Sequence, residues 1–172
     1  MSQQVSSTKP FGLATNVRPT KTGELKLVWN GGIGNYEREN IIVGRDTIDS
    51  WKTITSKVSY DHGGQPDKEG KRRVLSKVEI LPPGTVCTET YLVAGRFSTE
   101  LEAKNLANYL RTKFVRFLVS QLSFSQDITK DRFLFVPVQD FKQDWTDEKL
   151  FKRYGITKDE VSFIDSMIRP ME

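Results

Sequence analysis

The stretch Thr99-Glu-Leu-Glu-Ala-Lys-Asn-Leu-Ala-Asn-Tyr-Leu-Arg-Thr-Lys-Phe-Val-Arg-Phe-Leu-Val-Ser-Gln-Leu122 decides the fold. Thr99 followed three residues later by Glu102 is the capping-box pattern that opens a helix. Leu101, Leu106, Leu110, Phe114, Phe117, Leu118 and Leu122 recur mainly at three- and four-residue steps and make one apolar stripe. Lys104, Arg111, Lys113 and Arg116 decorate the rest, where a solvated flank is the ordinary reading. The pattern predicts one long helix that lays its stripe on a sheet.

That sheet must come from the first half, which reads as short strands cut by turns. Leu25–Trp29 is apolar and ends at Asn30-Gly31-Gly32, a strong turn signal. Asn40–Val43 is a short β-branched run closed by Gly44. Trp51–Val58 alternates with period two, although Lys52 and Ile54 share a parity, so its faces are not cleanly polar and apolar. Val74–Leu81 resumes a strand and stops at Pro82-Pro83-Gly84, and Thr88–Ala94 is another that ends at Gly95. Beyond the helix, Ser123 to Lys130 is a polar linker and Phe133–Val138 reads as a buried strand. A short helix begins at Thr146 and stops at Gly155. A second capping box, Thr157 with Glu160, opens another that runs to about Met167 and that Pro170 cannot extend. The expected architecture is α+β: a twisted, mainly antiparallel sheet packed against one long helix, with two short C-terminal helices. Residues 1–8 read as a flexible lead-in, 9–142 as the main domain, and 143–172 as a C-terminal helical appendage.

At 172 residues the chain is one domain, or one with an appendage, and can bury about two-thirds of its unfolded surface. A single cysteine, Cys87, rules out an internal disulfide framework and any multi-cysteine zinc site, and agrees with a reducing cytoplasm. No apolar run approaches the roughly 20 residues of a membrane span. Residues 1–85 carry 13 Lys/Arg against 9 Asp/Glu, and residues 86–172 carry 13 against 13, so the whole +4 excess lies in the first half. Such asymmetry points towards nucleic acid.

Ser59 to Arg73 is a polar loop of about fifteen residues, a length that is usually functional or disordered. Binding DNA requires positive charge for phosphates and directional side chains for base edges. The Tyr60–Arg73 loop supplies both: Lys68, Lys71, Arg72 and Arg73 carry charge, His62 and Gln65 are base-reading types, and Tyr60 opens the segment. Lys52 and Lys57, on the preceding strand, are expected to add charge beside it. Gly31–Arg38, with Asn35, Tyr36 and Arg38, is a second candidate surface. Ser123–Arg132, with Gln126, Lys130 and Arg132, is a third.

The order of several motifs carries a resemblance. Cys87 to Val93 reads CTETYLV, Thr112 to Val119 reads TKFVRFLV, Phe135 to Phe141 reads FVPVQDF, Trp145 to Gly155 reads WTDEKLFKRYG, and Lys9 to Leu13 reads KPFGL. The chain resembles, over roughly Lys9 to Glu172 and most closely from Thr85 onward, the C-terminal target-recognition region of bacterial Type II combined restriction–modification adenine-specific DNA methyltransferases. The resemblance implies sequence-specific binding of double-stranded DNA without catalysis by this chain. S-adenosylmethionine is then expected only in a methyltransferase catalytic domain, attached in cis or partnered in trans. Base-reading positions vary within the family, so the candidate residues above come from their chemistry.

Catalytic patterns are weak by comparison. The glycine-rich cofactor loop and the Asn-Pro-Pro-Tyr or Asp-Pro-Pro-Tyr motif of an adenine methyltransferase do not occur. Asn30–Asn35 is glycine-rich, but no helix N-terminus follows it to hold a phosphate. A magnesium-dependent nuclease could draw on Asp61, Glu69 and Lys71, which spell the usual carboxylates and lysine inside a loop. Cys87 reads as a small buried hydrophobe. A third possibility is a docking module in which Asp147–Tyr154 and Lys158–Met167 anchor a partner subunit.

Overall fold

The computed structural model describes residues 1–61 and 65–171. Among the described residues six strands form in chain order: β1 (Leu25–Trp29), β2 (Gly32–Tyr36), β3 (Trp51–Ser56), β4 (Val78–Leu81), β5 (Thr85–Cys87) and β6 (Tyr91–Phe97). β1 and β2 pair antiparallel across the Asn30-Gly31 turn, with Leu25 opposite Tyr36, and β5 joins β1 in parallel. β3 lies between β4 and β6, antiparallel to both. The fold is therefore α+β, but its described strands divide into two three-stranded sheets, β2-β1-β5 and β4-β3-β6, where one sheet was expected. The division falls at Pro82-Pro83-Gly84. Two prolines have no N–H to continue a ladder. Gly84, at a φ of 72°, turns the chain into the other sheet, where its carbonyl accepts from the Lys26 N–H at 2.9 Å.

Alternation along β6 explains its continuous apolar reading. Leu92 and Ala94 enter a core shared with the helices, whereas Tyr91 and Val93 enter a core shared with β1 and β5. The β4-β3-β6 sheet is thus covered on both faces, the condition under which strands lose their polar parity. A bulge between Thr53 and Ile54 shifts the β3–β6 register there, and Gly95 lets a helix close on the sheet. A Cβ on Gly95 would meet Leu106 Cδ2 at 2.5 Å.

Four α-helices follow among the described residues: α1 (Glu100–Arg111), α2 (Lys113–Ser120), α3 (Asp147–Tyr154) and α4 (Lys158–Met167). The single long helix expected from 99–122 breaks at Thr112. This residue is extended, with ψ at 150°, and its hydroxyl donates to the Tyr109 carbonyl at 2.7 Å while accepting from the Val115 N–H. The Asp147 carboxylate then accepts from the Lys113 and Phe114 N–H groups at 3.0 and 2.8 Å, capping α2 from α3. The apolar stripe divides accordingly: Leu106, Leu110 and Phe114 are buried, while Leu101 is 59% exposed.

Two expected strands are turns. Arg38–Asn40 forms one 3-10 turn, leaving Ile41 buried and Ile42 exposed. Phe133–Val138 lacks a ladder, because a 3-10 turn at Lys130–Phe133 continues into a bond from the Val136 N–H to the Phe133 carbonyl, which buries Phe133 and Val136 at a three-residue step. Side chains supply what a ladder would: Tyr109 Oη donates to the Pro137 carbonyl and Asn105 Nδ2 to the Phe141 carbonyl. In residues 1–8, Val5 is buried and Ser6 exchanges bonds with the Val93 backbone. In residues 143–172, Trp145, Leu150 and Ile168 join the helical core. No described helix is long and apolar enough to cross a membrane.

Candidate nucleic-acid interface

The loop after β3 is built from its backbone outward. Ser59 bridges to Leu75, and its N–H donates to the Gln126 carbonyl at 2.7 Å, while Val58 bridges to Asp127. Two of the three candidate surfaces, Tyr60–Arg73 and Ser123–Arg132, are therefore neighbours. Asp67 folds the loop tip: its Oδ1 accepts from the Glu69 and Lys71 N–H groups, both at 2.9 Å, and Gly70 takes the left-handed conformation. Those N–H bonds, led by Lys71, hold the Asp67 carboxyl below its usual range. Gln65 and Lys68 are exposed and Lys71 is half-buried.

From Lys71 the chain runs beside the C-terminal tail. The Arg72 N–H donates to the Met167 carbonyl at 2.8 Å and the Arg169 N–H returns to the Arg72 carbonyl at 3.1 Å, a parallel bridge between Arg72 and Ile168. Behind this bridge lies Arg116, 1% exposed, which had been expected on a solvated flank. Its Nη1 donates to the Arg73 carbonyl at 3.1 Å and the Arg169 carbonyl at 2.8 Å, and its Nε donates to the Arg111 carbonyl, freed by the helix break, at 3.0 Å. Burial pushes the guanidinium down to about 10. Arg116 thus staples loop, tail and helix break.

The staple brings two guanidinium groups to one aromatic ring. Tyr60 is 51% exposed, and the Cζ atoms of Arg73 and Arg169 lie 4.9 and 4.8 Å from its ring centre. Contacts of this kind hold a cation in place while leaving its N–H groups free. Asp61 fixes the approach, its two oxygens accepting from the Arg73 N–H at 2.9 Å and the Val74 N–H at 2.8 Å, with Arg72 Nε 3.6 Å away. Val74 has a φ of 70°, strained for a β-branched residue. The Asp61 bond and the Ser59 Oγ bond to the Val74 carbonyl hold it there.

The other candidates have different fates. Lys52 is a correction: it is fully buried, so it offers no charge to DNA. Its Nζ donates to the carbonyls of Ser50 at 2.6 Å, Ile48 at 2.8 Å and Thr47 at 3.2 Å, and burial pushes the ammonium down to about 8. Lys57 is half-buried, its backbone bonded to Thr90 and Ile128. Asn35 lies on β2 and Arg38 in the 3-10 turn that follows it, and neither shares a hydrogen bond or ion pair with the 60–73 loop among the described residues. Asn35 Oδ1 accepts from Lys26 Nζ at 2.7 Å. Arg38 is held by both oxygens of Asp49, at 2.8 and 2.9 Å, and by Glu24 at 2.5 Å, and these carboxylates raise its pKa further. Arg132 turns back onto the Leu122 carbonyl and lies near the exposed Phe124 ring. His62 lies outside the described residues.

Of the residues a nuclease could draw on, both Asp61 oxygens accept from backbone N–H groups, and among the described residues no three His, Cys, Asp or Glu side chains are placed to share a metal ion. The residue missed by sequence reasoning is Arg169. Its signal was its place before Pro170, which favours an extended backbone able to lie beside another strand. Comparison with family models, curated proteins and solved structures finds no match.

Proposed function

We propose that this chain is the target-recognition domain of a restriction–modification adenine methyltransferase and binds double-stranded DNA in a sequence-specific manner in the cytoplasm. On this reading it performs no chemistry itself. A methyltransferase catalytic domain, in cis or in trans, supplies S-adenosylmethionine chemistry and the other wall of the DNA cleft. The observation that carries the reading is the basic segment Lys68–Arg73, whose Arg73 meets Arg169 on a half-exposed Tyr60 with no side-chain hydrogen bond from either guanidinium among the described residues. Elsewhere Arg38 and Arg96 are matched to carboxylates. Phosphate contacts position a protein on a duplex, and a few exposed side chains such as Gln65 read base edges.

A docking role is the second reading, favoured by the exposed apolar row Leu134, Phe135 and Val138. The test is selection of this chain against a random duplex library at low and moderate salt, with magnesium present, followed by sequencing. Enrichment of one short motif in intact DNA supports target recognition. Cleaved DNA turns the reading to the nuclease, and no retention even at low salt turns it to docking.

A further inference from the structure

Arg73 and Arg169 come from distant parts of the chain and meet on one ring, their Cζ atoms within about 10 Å of each other, the sum of their two distances to the Tyr60 centre. Like charges held this close repel, and the nearby carboxylates among the described residues, Asp67 by Arg169 and Asp61 by Arg72, each approach only at 3.6 Å. Asp61 spends both oxygens on backbone N–H groups, and Asp67 spends Oδ1 the same way, approaching Arg169 only at 3.6 Å. Arg72 sits beside the pair, largely buried, and its Nε and Nη2 as well as Arg73 Nε have no hydrogen-bond acceptor among the described residues. Guanidinium donors without acceptors are unusual inside a folded protein and call for a reason. Counting Arg116 behind them, four guanidinium groups stand among three carboxylates of the described residues, Asp61, Asp67 and Asp147. The backbone beneath is nevertheless fixed, by the Arg116 staple, the Arg72–Ile168 bridge and the strained Val74.

We infer that Arg73 and Arg169 on Tyr60, backed by Arg72 beside Asp61, form a site for one phosphate group. A phosphate offers several acceptor oxygens to forked donors and compensates the excess charge. Tyr60 orients the two forks without consuming their N–H groups. The group is either a phosphodiester of duplex DNA, in which case the inference rests on the function proposed above, or a free phosphate, in which case it does not. The tail residue Arg169 makes the site composite: loop and tail each contribute one fork.

Two measurements separate the sources. The first is duplex affinity of the full chain against salt, for wild type, Arg169→Ala, Arg73→Gln and the control Lys104→Ala, an α1 lysine paired with Glu100. If the phosphate is DNA's, both arginine variants bind about tenfold more weakly and their salt slope falls by about 0.9, the loss of one phosphate contact; Lys104→Ala changes neither. The second is thermal unfolding in inorganic phosphate against chloride at equal ionic strength. If wild type binds no duplex yet phosphate raises its midpoint, and the rise is lost in Arg169→Ala, the site stands and the DNA reading falls. Should Arg169→Ala not fold, Arg73→Gln carries the same test without touching the tail. Duplex binding and phosphate response that both survive the two substitutions unchanged overturn the site while leaving DNA binding intact, and a wild type that responds to neither duplex nor phosphate overturns both.

Discussion

Arg116→Met is the substitution that most directly tests how loop, tail and helix break are joined. Methionine keeps much of the length and apolar volume of the arginine stem while removing its three donors to the carbonyls of Arg111, Arg73 and Arg169. Hydrogen bonds from a charged donor contribute about 1.5–3 kcal/mol each, so the gross loss is about 5–9 kcal/mol. Against it stands the cost of burying the guanidinium: its pKa, pushed from 12.5 down to about 10, corresponds to about 3 kcal/mol that the apolar side chain recovers. The net expectation is a loss of about 2–6 kcal/mol. For a chain of this size that lowers Tm by roughly 4–24 °C, and urea unfolding should show a lower midpoint. Because the released carbonyls belong to Arg73 and Arg169, duplex affinity measured at low temperature, where the variant is folded, should fall about as far as in Arg169→Ala. A variant within about 0.5 kcal/mol of wild type would refute the staple, since a buried guanidinium would then return no more than its own desolvation. Clear destabilisation with unchanged duplex affinity would separate the staple from the interface.

Three further outcomes are expected. Lys52→Met should cost about 2 kcal/mol in urea unfolding, by stripping buried carbonyls of their donor, and leave the salt slope of DNA binding unchanged. Its pH dependence has a definite sign: with Lys52 lowered to about 8 in the folded protein against an ordinary 10.5, the unfolded chain binds the extra proton between those values, so this group's contribution to stability rises with pH there. The stability advantage of wild type over Lys52→Met should accordingly grow from pH 8 to 10, and an advantage that shrinks would refute the assignment. Asp147→Ala should cost about 1–2 kcal/mol, since it uncaps two N–H groups of α2, and hydrogen exchange at Lys113 and Phe114 should accelerate first. Arg38→Ala should leave the salt slope of duplex binding at its wild-type value, because Asp49 and Glu24 already occupy its donors; a drop of about one would restore the Arg38–Asn40 turn as a DNA contact.

Local grammar in the sequence was read correctly where the physics is local. The Thr157–Glu160 capping box forms with both of its bonds, the Gly155 stop is left-handed, and the Asn30-Gly31 turn forms where expected, although the strand that follows it, Gly32–Tyr36, was read as part of a turn. What failed needed a distant partner. Thr112 looked like one more residue of a long helix, because the carboxylate that caps α2 lies at Asp147, far along the chain. Phe133–Val138 looked like a strand, because the partners that satisfy its carbonyls are distant: Tyr109 of α1 at Pro137 and the Met1 amino group at Val136. The Lys52 error was partly avoidable. It shares a parity with Ile54, and on a strand that places both on one face; Ile54 belongs to the β1–β5 core, and the carbonyls of Thr47, Ile48 and Ser50 are what make a lysine tolerable beside it.

The basic residues also show why charge composition locates an interface so poorly. Lys52, Arg38, Arg116 and Arg73 are equivalent in any count of positive residues, and the fold gives each a different set of acceptors. Lys52 is used up by carbonyls, Arg38 by carboxylates, and Arg116 by the backbone of the site itself. The quantity that matters for an anion is the set of N–H groups left over after those bonds are made, and that set depends on contacts spanning the whole chain. At Tyr60 it is created by chain closure: the tail pairs with Arg72, Arg116 fixes both backbones, and two forks are left facing a ring. The loop alone would present Arg73 without its counterpart. An excised 1–142 fragment would therefore lose the composite site even if its loop kept every basic residue from Lys68 to Arg73, which is why the tail belongs in any account of what this chain binds.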